Sequence, residues 1–571
     1  MLSLSHFPMA VPLTVAPLAP PLSVRVSLIV SCLLLLFFAH QSFAYCPDDA
    51  FITYRYSQNL ANGFGPVFNP GLAEHVEGFS CPLYMLLIAI LIKLPLGIDL
   101  LFRAKLIGVV FGLLTLIVAQ RLAEQLKFPR WAVCAVPLVT AVHASLSISC
   151  VDGMETVLGS LLTTSAALWF LRAFSSSKSE SEDENETPQL KREEGSRAAL
   201  YAGLLFAGCA LTRPEGLLGG LFALIALLVV RKGKVGKDGL RFALAFLVPV
   251  VLYFVWRRFY YGLWLPNTYY AKGAPLDEAF TKGAPYLLKT FFVVLNESVA
   301  LATAGGIWWL LAITGAIGER AKRFPALVLP LILVAQMIFV IRSGGDWMGG
   351  WRYMAVAMPI GMILAIAGLI EVGLWLPGKA GETSSLAKGI GIAGTLLLLG
   401  FGLWGQISYW TTEKSGYLSW ASRGYTFDTR KLLKGRLLQR AVEIADRVNA
   451  VIPPGKTIAY TEMGVTPFYC PKHFFLDCDG LTDSGVASLP GVKHTQIGVK
   501  DTYTSTAGIV GAYLKDVRKP DYLMLSTSTP HGTPFLDPGP ALDGAYEVIS
   551  TSSVFSDTPE SDLYLVIWKR I

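Results

Sequence analysis

The sequence predicts a polytopic α-helical membrane protein of about eleven spans with a C-terminal extracytoplasmic α/β domain. Two observations support this. Hydrophobic residues make up 53% of the 571 residues and charged residues only 16%, with a mean hydropathy of +0.50. A soluble chain with so few charges would expose large apolar patches. Beyond residue 410 the long apolar runs stop, and helix-like and strand-like patterns alternate.

The candidate spans are apolar runs, most of them close to the length of about 20 residues that crosses a hydrocarbon layer. They are 24–43, 104–121, 131–150, 154–173, 198–212, 215–231, 238–256, 291–315, 325–342, 353–376 and 387–409. The first run ends in Ser-Phe-Ala, which also fits a signal-peptide cleavage site, but its length favours an uncleaved anchor. Residues 82–94 are apolar but too short for a span, and we expect them to lie along the membrane interface.

Charge placement predicts the orientation. Lys and Arg residues concentrate in the alternate loops 122–130, 174–197, 232–237 and 316–324, which the positive-inside rule places in the cytoplasm. The chain then divides into a membrane domain (1–409, with its first outer loop at 44–103) and an extracytoplasmic domain (410–571). The net charge of +7 lies largely in short loops, and we find no basic, aromatic-interleaved surface typical of nucleic-acid binding.

The C-terminal domain is expected to begin with a basic amphipathic helix at 430–451, followed by several short strands. The eight cysteines are scattered. Cys470 and Cys478, or Cys46 and Cys81, could form disulfides in an oxidising compartment, and free thiols are the alternative.

Polar residues cluster in the loops assigned to the outer face. They are Asp48 and Asp49 after the first span, Asp152 and Glu155, Arg213 and Glu215, and the segments 257–272 and 342–353. Charges at the edge of a membrane are costly and usually mark function. Singly, each has a simpler interpretation as an interface marker, a local ion pair or an aromatic belt. Two adjacent carboxylates repel each other, however, which favours a raised pKa and suits a general base.

An outward-facing base, several cations and an aromatic shelf at a membrane surface fit glycosyl transfer from a lipid-linked phosphosugar. The lipid tail partitions between helices, the phosphate needs Arg or Lys, and the acceptor hydroxyl needs a carboxylate base. We find no glycine fingerprint of a nucleotide-binding fold.

Several motifs, in order, carry a family resemblance. "DDAFITYRYSQNLANGFGPVFNPG", "VEGFSCPLY", "DGMET", "LTRPEG", "YYGLWLPNTYYAK", "GGDWMGGWRY" and "LDCDGLTD" resemble the cell-wall terminal arabinofuranosyltransferases and their uncharacterised bacterial relatives, within the GT-C superfamily of membrane glycosyltransferases. The resemblance implies a GT-C fold and inverting transfer from a polyprenyl-phosphate sugar, with Asp48 or Asp49 as catalytic base. Relatives tend to read Thr-Asn-Pro-Leu-Trp where this chain has residues 80–84 as Ser-Cys-Pro-Leu-Tyr, so arabinofuranose is a candidate sugar rather than a conclusion.

Site roles follow from chemistry and from this resemblance. The candidates for the donor phosphate are Lys272, Arg352, Arg213 and Arg342. The candidates for positioning sugar or acceptor are Glu155, Glu215, Asn267, Asp346, Trp347 and Tyr269. Carboxylates assigned to acceptor binding in the outer domain are Glu462, Asp477, Asp479 and Asp483. The second aspartate of the pair orients the acceptor or binds a divalent cation, and no other cofactor is expected.

The expected partners are a polyprenyl-phosphate sugar donor, a glycan or glycolipid acceptor and membrane lipids. The expected location is the bacterial cytoplasmic (inner) membrane, with the C-terminal domain on the periplasmic or extracytoplasmic side. Two alternatives stay open. A lipid-linked sugar transporter would share the apolar groove and buried charges but needs no base. A non-catalytic envelope or motility assembly protein would tolerate neutral replacements at Asp48 and Asp49.

Overall fold

The computed structural model describes residues 21–175, 188–272, 276–292, 311–318, 324–346, 352–375, 385–412, 436–490, 509–527, 544–554 and 563–571. Helices make up the first part of the chain, and the last part is a mixed α/β domain. Two expectations fall outside the described residues, namely most of the predicted span 291–315 and the site candidate Trp347.

Helices cover most of the apolar runs that were predicted as spans. Its helices are α1 (Leu22–Gln41), α2 (Asp49–Ala61), α3 (Pro82–Lys93), α4 (Leu100–Gln125), α5 (Arg130–Ala141), α6 (Ala144–Ser149), α7 (Thr156–Phe174), α8 (Pro188–Thr212), α9 (Pro214–Val230), α10 (Gly236–Tyr261), α11 (Asn267–Ala271), α12 (Leu276–Phe292), α13 (Val328–Ser343), α14 (Arg352–Ala355), α15 (Met358–Trp375) and α16 (Ser385–Thr412). Among the described residues, five helices (α1, α4, α7, α10 and α16) are long and apolar enough to cross a membrane, and further apolar helices are shorter.

Two predicted spans are broken rather than continuous. The run 131–150 forms α5 and α6, separated at Val142 and His143. The Nδ1 atom of His143 accepts the main-chain N–H of Ser145 at 3.3 Å, which starts the second helix. The run 353–376 is likewise divided between α14 and α15. Hydropathy does not detect these breaks, because the residues on both sides of each break are apolar.

The helix α3 covers the short apolar segment, whose interfacial position stays a prediction. Its 12 residues make a helix of about 18 Å at about 1.5 Å per residue, whereas the hydrocarbon layer is about 30 Å thick. Tyr84 and Ile88 are buried, while Leu86 and Ile90 are exposed. The helix therefore has one face on the protein and one apolar face open to its surroundings.

The C-terminal domain is an α/β unit. The helix α17 (Arg436–Val451) precedes a mixed sheet whose strand order is β2-β1-β3-β5-β4, in which β1, β2 and β3 are parallel and β5 runs antiparallel to β3 and β4. The strands are β1 (Thr457–Tyr460), β2 (Phe474–Asp477), β3 (Tyr522–Thr527), β4 (Tyr546–Val554) and β5 (Leu563–Arg570). Short helices α18 (Val465–Tyr469) and α19 (Ser484–Ala487) connect them, with a π-helical turn at Leu514–Arg518.

The C-terminal domain, called the outer domain after its predicted location, packs directly on α2, so the two units share one apolar core. Phe51 of α2 lies 5.3 Å, ring to ring, from Phe468 of α18. The buried Arg55 guanidinium donates to the carbonyl oxygens of Pro467 and, at 2.9 Å, of His473. The segment that follows Asp49 is therefore fixed between the membrane helices and the outer domain.

None of the eight cysteines forms a disulfide, and all eight lie in the described part of the chain. Both pairings considered from the sequence, Cys46 with Cys81 and Cys470 with Cys478, are therefore absent. The Cys81 thiol instead contacts the hydroxyl of Thr53 at 3.5 Å, inside the core beneath α2.

Candidate active site

Asp48 and Asp49 lie side by side at the start of α2 but have different surroundings. The Asp48 carboxylate accepts the main-chain N–H groups of Gly464 (2.9 Å) and Val465 (2.8 Å) from the outer domain. Burial, together with the nearby Glu462 carboxylate, raises the pKa of Asp48 to about 7, although these two amides oppose the shift. The lone pairs of Asp48 are thus used in holding the two domains together.

The Asp49 side chain is half-buried, with 23% of its surface exposed. One of its carboxylate oxygens lies 3.9 Å from a guanidinium nitrogen of Arg352. Arg352 is also paired with Asp346, and its other terminal nitrogen contacts the sulfur of Met154 at 3.0 Å. Asp49 is therefore an accessible carboxylate that faces a positively charged side chain.

Arg213 belongs to a buried charge cluster behind Arg352. Its guanidinium binds the carboxylates of Glu155 at 2.7 Å and Glu215 at 2.5 Å, and it stacks on the ring of Tyr353 at 5.3 Å. The amide of Gln336 donates to both Glu215 (3.3 Å) and the carbonyl of Tyr353 (2.6 Å). Two carboxylates surround one guanidinium, so the charge of Arg213 is compensated inside the protein.

Lys272 and Asp479 are electrostatic neighbours, and Lys272 also lies near Tyr353. The ammonium group of Lys272 is exposed, and within the described part of the chain it has no ion pair within 4.0 Å. Asp479 is an exposed residue. Desolvation of its carboxyl group and the Glu462 carboxylate raise the pKa of Asp479, and Lys272 lowers it. Glu462 is itself paired with Arg440 at 2.6 Å.

Asp152 lies in the loop between α6 and α7, which contacts both Arg213 and Arg352. Its carboxylate accepts the main-chain N–H of Met154 at 2.7 Å. Burial and the neighbouring Glu155 raise its pKa to about 7, while Arg352 and Lys105 lower it. The loop that contains Asp152 thus reaches Arg213 through Glu155 and Arg352 through Met154.

Three further candidates have contacts with other groups. The amide of Asn267 donates to the carbonyls of Gly480 (2.7 Å) and Leu481 (3.1 Å), so it joins α11 to the outer domain. The guanidinium of Arg342 lies 5.9 Å from the ring centre of Tyr269, which is 48% exposed.

Two outer-domain aspartates shape a loop. Asp477 accepts the main-chain N–H groups of Asp479 and Thr482, both at 2.8 Å, and burial and Asp479 raise its pKa. Asp483 caps α19 and pairs with Arg518 at 2.6 Å. Both stabilise the loop on which Asp479 is presented.

Sequence reasoning did not find two buried cations, Lys105 and Arg55, or the buried pair of Glu77 with Arg257 (2.7 Å). Lys105 offered a signal, because it is a lone charge near the start of an apolar span. Among the described residues, no group of three or more His, Cys, Asp or Glu side chains could hold a metal ion.

Two solved structures have a similar fold. The structure matches ArnT of Cupriavidus metallidurans bound to undecaprenyl phosphate, with a TM-score of 0.51 at 13% identity, over 95% of this chain and 97% of that one. It also matches the oligosaccharyltransferase AglB of Archaeoglobus fulgidus in complex with an inhibitory peptide and a dolichol-phosphate, with a TM-score of 0.50 at 12% identity, over 88% and 69% of the two chains. The chain therefore shares the fold of these two proteins.

Two curated proteins have a similar sequence. The chain is 28% identical over 389 residues to the terminal beta-(1->2)-arabinofuranosyltransferase of Mycobacterium tuberculosis, covering 64% of this chain and 57% of that protein. The enzyme of the same name from Corynebacterium glutamicum is 28% identical over 337 residues, 55% and 47% of the two chains. The chain spans about half the length of these curated relatives. The resemblance predicted from the motifs is confirmed. Residues 431–566 also match a domain of unknown function (DUF8728).

Proposed function

We propose that this protein is an integral-membrane, inverting glycosyltransferase. It moves a sugar, with arabinofuranose as the first candidate, from a polyprenyl-phosphate donor to a cell-envelope glycan or another acceptor on the outer face. The observation that carries the proposal is the Asp49 carboxylate facing Arg352 at 3.9 Å, next to Asp48, which binds two amides of the C-terminal domain. The GT-C fold and the arabinofuranosyltransferase relatives support it.

The reaction is a single displacement. Asp49 accepts the proton of an acceptor hydroxyl, and the oxygen attacks the anomeric carbon of the donor from the face opposite the phosphate. The new carbon–oxygen bond forms as the bond to the phosphate oxygen breaks, so the configuration at the anomeric carbon inverts. The polyprenyl phosphate leaves with the electron pair, and cations near the phosphate stabilise that charge.

We assign Asp49 rather than Asp48 as the base because of the geometry. The carboxylate of Asp48 accepts the amides of Gly464 and Val465, whereas that of Asp49 faces the guanidinium of Arg352 at 3.9 Å. Asp48 therefore fixes the start of α2, and a hydroxyl can reach its neighbour.

Arg352 and Lys272 are the proposed phosphate ligands. Lys272 is exposed, and Arg352 lies 3.9 Å from Asp49. Arg213 has two carboxylate partners, so we propose that it supports Arg352 and Tyr353 instead of binding the donor directly. Arg342 and Tyr269 would contact the sugar or the lipid further along the membrane surface.

We assign acceptor binding to the outer domain. Asp479 is the proposed ligand of acceptor hydroxyls because it is open to solvent, on a loop held by Asp477 and Asp483. The expected orientation places this domain on the extracytoplasmic side of the bacterial inner membrane. We derive no step through a divalent cation.

The test uses purified full-length protein in detergent with a panel of polyprenyl-phosphate sugars and glycan acceptors. We expect Asp49→Asn to lower transfer by about 10²–10⁴-fold, the usual contribution of a general base. Binding of the donor should remain. Asp238→Asn is a matched control, because Asp238 is exposed on α10 and pairs only with Arg241 at 3.5 Å among the described residues.

The outcomes separate the alternatives. Transfer by the wild type that collapses in Asp49→Asn but not in Asp238→Asn supports the proposal. Donor binding without turnover, equal in the wild type and both variants, contradicts it and favours a transporter of lipid-linked sugars. Transfer that survives in Asp49→Asn and is lost in Asp48→Asn, with folding retained, would reverse the assignment of the two aspartates.

A further inference from the structure

Lys105 is buried near the first turn of the membrane helix α4, with 1% of its surface exposed. Its ammonium group donates to the carbonyl oxygens of Phe43 (2.9 Å), Tyr45 (2.6 Å) and Val151. An ammonium group has three N–H bonds, so these three carbonyls use every donor. Within the described residues it has no carboxylate within 4.0 Å, and Asp152 is a longer-range electrostatic neighbour.

The three carbonyls belong to two different loops. Phe43 and Tyr45 lie in the segment that leads from α1 to the aspartate pair. Val151 directly precedes Asp152 in the loop between α6 and α7. One side chain therefore links the segment that carries the proposed base to the loop between α6 and α7.

The loop between α6 and α7 also contacts several other residues of the proposed site. The hydroxyl groups of Tyr54 on α2 and Tyr84 on α3 both donate to the carbonyl of Gly153 at 2.7 Å. Arg352 contacts Met154 in the same loop, and Arg213 binds Glu155. Both Asp49 and its opposing cation are thus positioned against one short loop.

We infer that Lys105 is a positioning residue for the proposed transfer, because it ties the Asp48–Asp49 segment to the loop 151–155 and so sets Asp49 opposite Arg352. It does not touch the donor or the acceptor. The inference rests on the proposed function for its kinetic consequences. Its structural consequence, a fixed start of α2, holds whatever the reaction is.

The first experiment compares Lys105→Met with Lys105→Arg in the full-length protein. Methionine keeps the length and apolar stem but removes all three donors, which leaves the start of α2 free to shift. A misplacement of about 1 Å can cost about 100-fold in rate. We expect kcat to fall by about that factor in Lys105→Met, with the donor KM and the binding of undecaprenyl phosphate within about threefold. Lys105→Arg keeps the charge and N–H donors and should retain more activity.

Hydrogen exchange supplies a readout that does not depend on activity. Amides at 45–51 should exchange faster in Lys105→Met, while those of strands β1 and β3 remain protected. Lys127→Met is the matched control, because Lys127 is exposed just after the other end of α4. It should change neither kcat nor exchange.

A milder variant covers the case in which Lys105→Met does not fold. Tyr84→Phe removes one of the two hydroxyl donors to Gly153 and leaves that of Tyr54. We expect a smaller loss of kcat, about tenfold, with the same unchanged donor KM.

Three results would overturn the inference. They are wild-type kcat in Lys105→Met, an equal loss in Lys127→Met, and unchanged exchange at 45–51 in a folded Lys105→Met protein. Absence of transfer by the wild type would instead contradict the proposed function, and the exchange measurement would still decide the role of Lys105.

Discussion

Asp48→Asn perturbs the contact between the outer domain and α2, where the Asp48 carboxylate accepts the N–H groups of Gly464 and Val465. Burial and the nearby Glu462 raise the pKa of Asp48 from 3.8 to about 7. The folded protein therefore holds a proton on Asp48 at pH values where the unfolded chain has lost it. Stability from this group is present at low pH and is lost as pH rises from about 4 to about 7.

The magnitude follows from the shift. Each unit of pKa difference is about 1.36 kcal/mol, so the two units between pH 5 and pH 7 amount to about 3 kcal/mol as an upper figure. Asparagine does not titrate in this range, and this dependence disappears in the variant. The asparagine oxygen accepts only one of the two amides, which costs about 1–3 kcal/mol at every pH. We expect Asp48→Asn to be clearly less stable than the wild type at pH 5 and close to it at pH 8.

The assay is thermal unfolding in detergent, followed by tryptophan fluorescence, at pH 5, 6, 7 and 8. The measured quantity is the difference between the unfolding temperatures of the wild type and Asp48→Asn at each pH. Asp238→Asn, an exposed control, should give a constant difference. A gap between wild type and Asp48→Asn that is independent of pH, or that widens towards pH 8, would refute this account of Asp48.

Three further predictions concern Arg213, Arg352 and Asp479. Arg213→Gln leaves two buried carboxylates without their guanidinium, so we expect a loss of about 3–5 kcal/mol in the free energy of unfolding, measured by denaturation in mixed micelles; a loss below 1 kcal/mol would contradict the buried cluster. Arg352→Gln should weaken binding of a polyprenyl-phosphate donor by at least about tenfold, measured by isothermal titration, and unchanged affinity would remove Arg352 from the phosphate site. Asp479→Asn should raise the KM for the acceptor and leave the KM for the donor unchanged; the reverse pattern in steady-state kinetics would place Asp479 on the donor side.

Much of the fold could be predicted from the sequence because the signal is local. Long apolar runs gave the helices, and the loss of those runs near residue 410 indicated the outer domain. The breaks at His143 and between α14 and α15 were missed, since a capped interruption inside an apolar run does not change its hydropathy.

The site was predictable only in part, for a related reason. The positions of Asp49, Arg352 and Arg213 followed from charge in apolar surroundings. Their separate environments did not, because the amides that bind Asp48 lie 416 and 417 residues away in the chain. Lys105 was missed because its partners are main-chain carbonyls, which any residue type provides.

The doubled aspartate has a physical explanation in this structure. One carboxylate with both oxygens bound to amides is held in position by a contact that joins two domains. One carboxylate left open, without a fixed neighbour, would not keep its orientation towards Arg352. Dividing the two tasks between adjacent residues at the first turn of α2 lets Asp48 fix the backbone while Asp49 stays accessible. The C-terminal domain is then part of the proposed site, since its amides bind the Asp48 carboxylate at the start of α2.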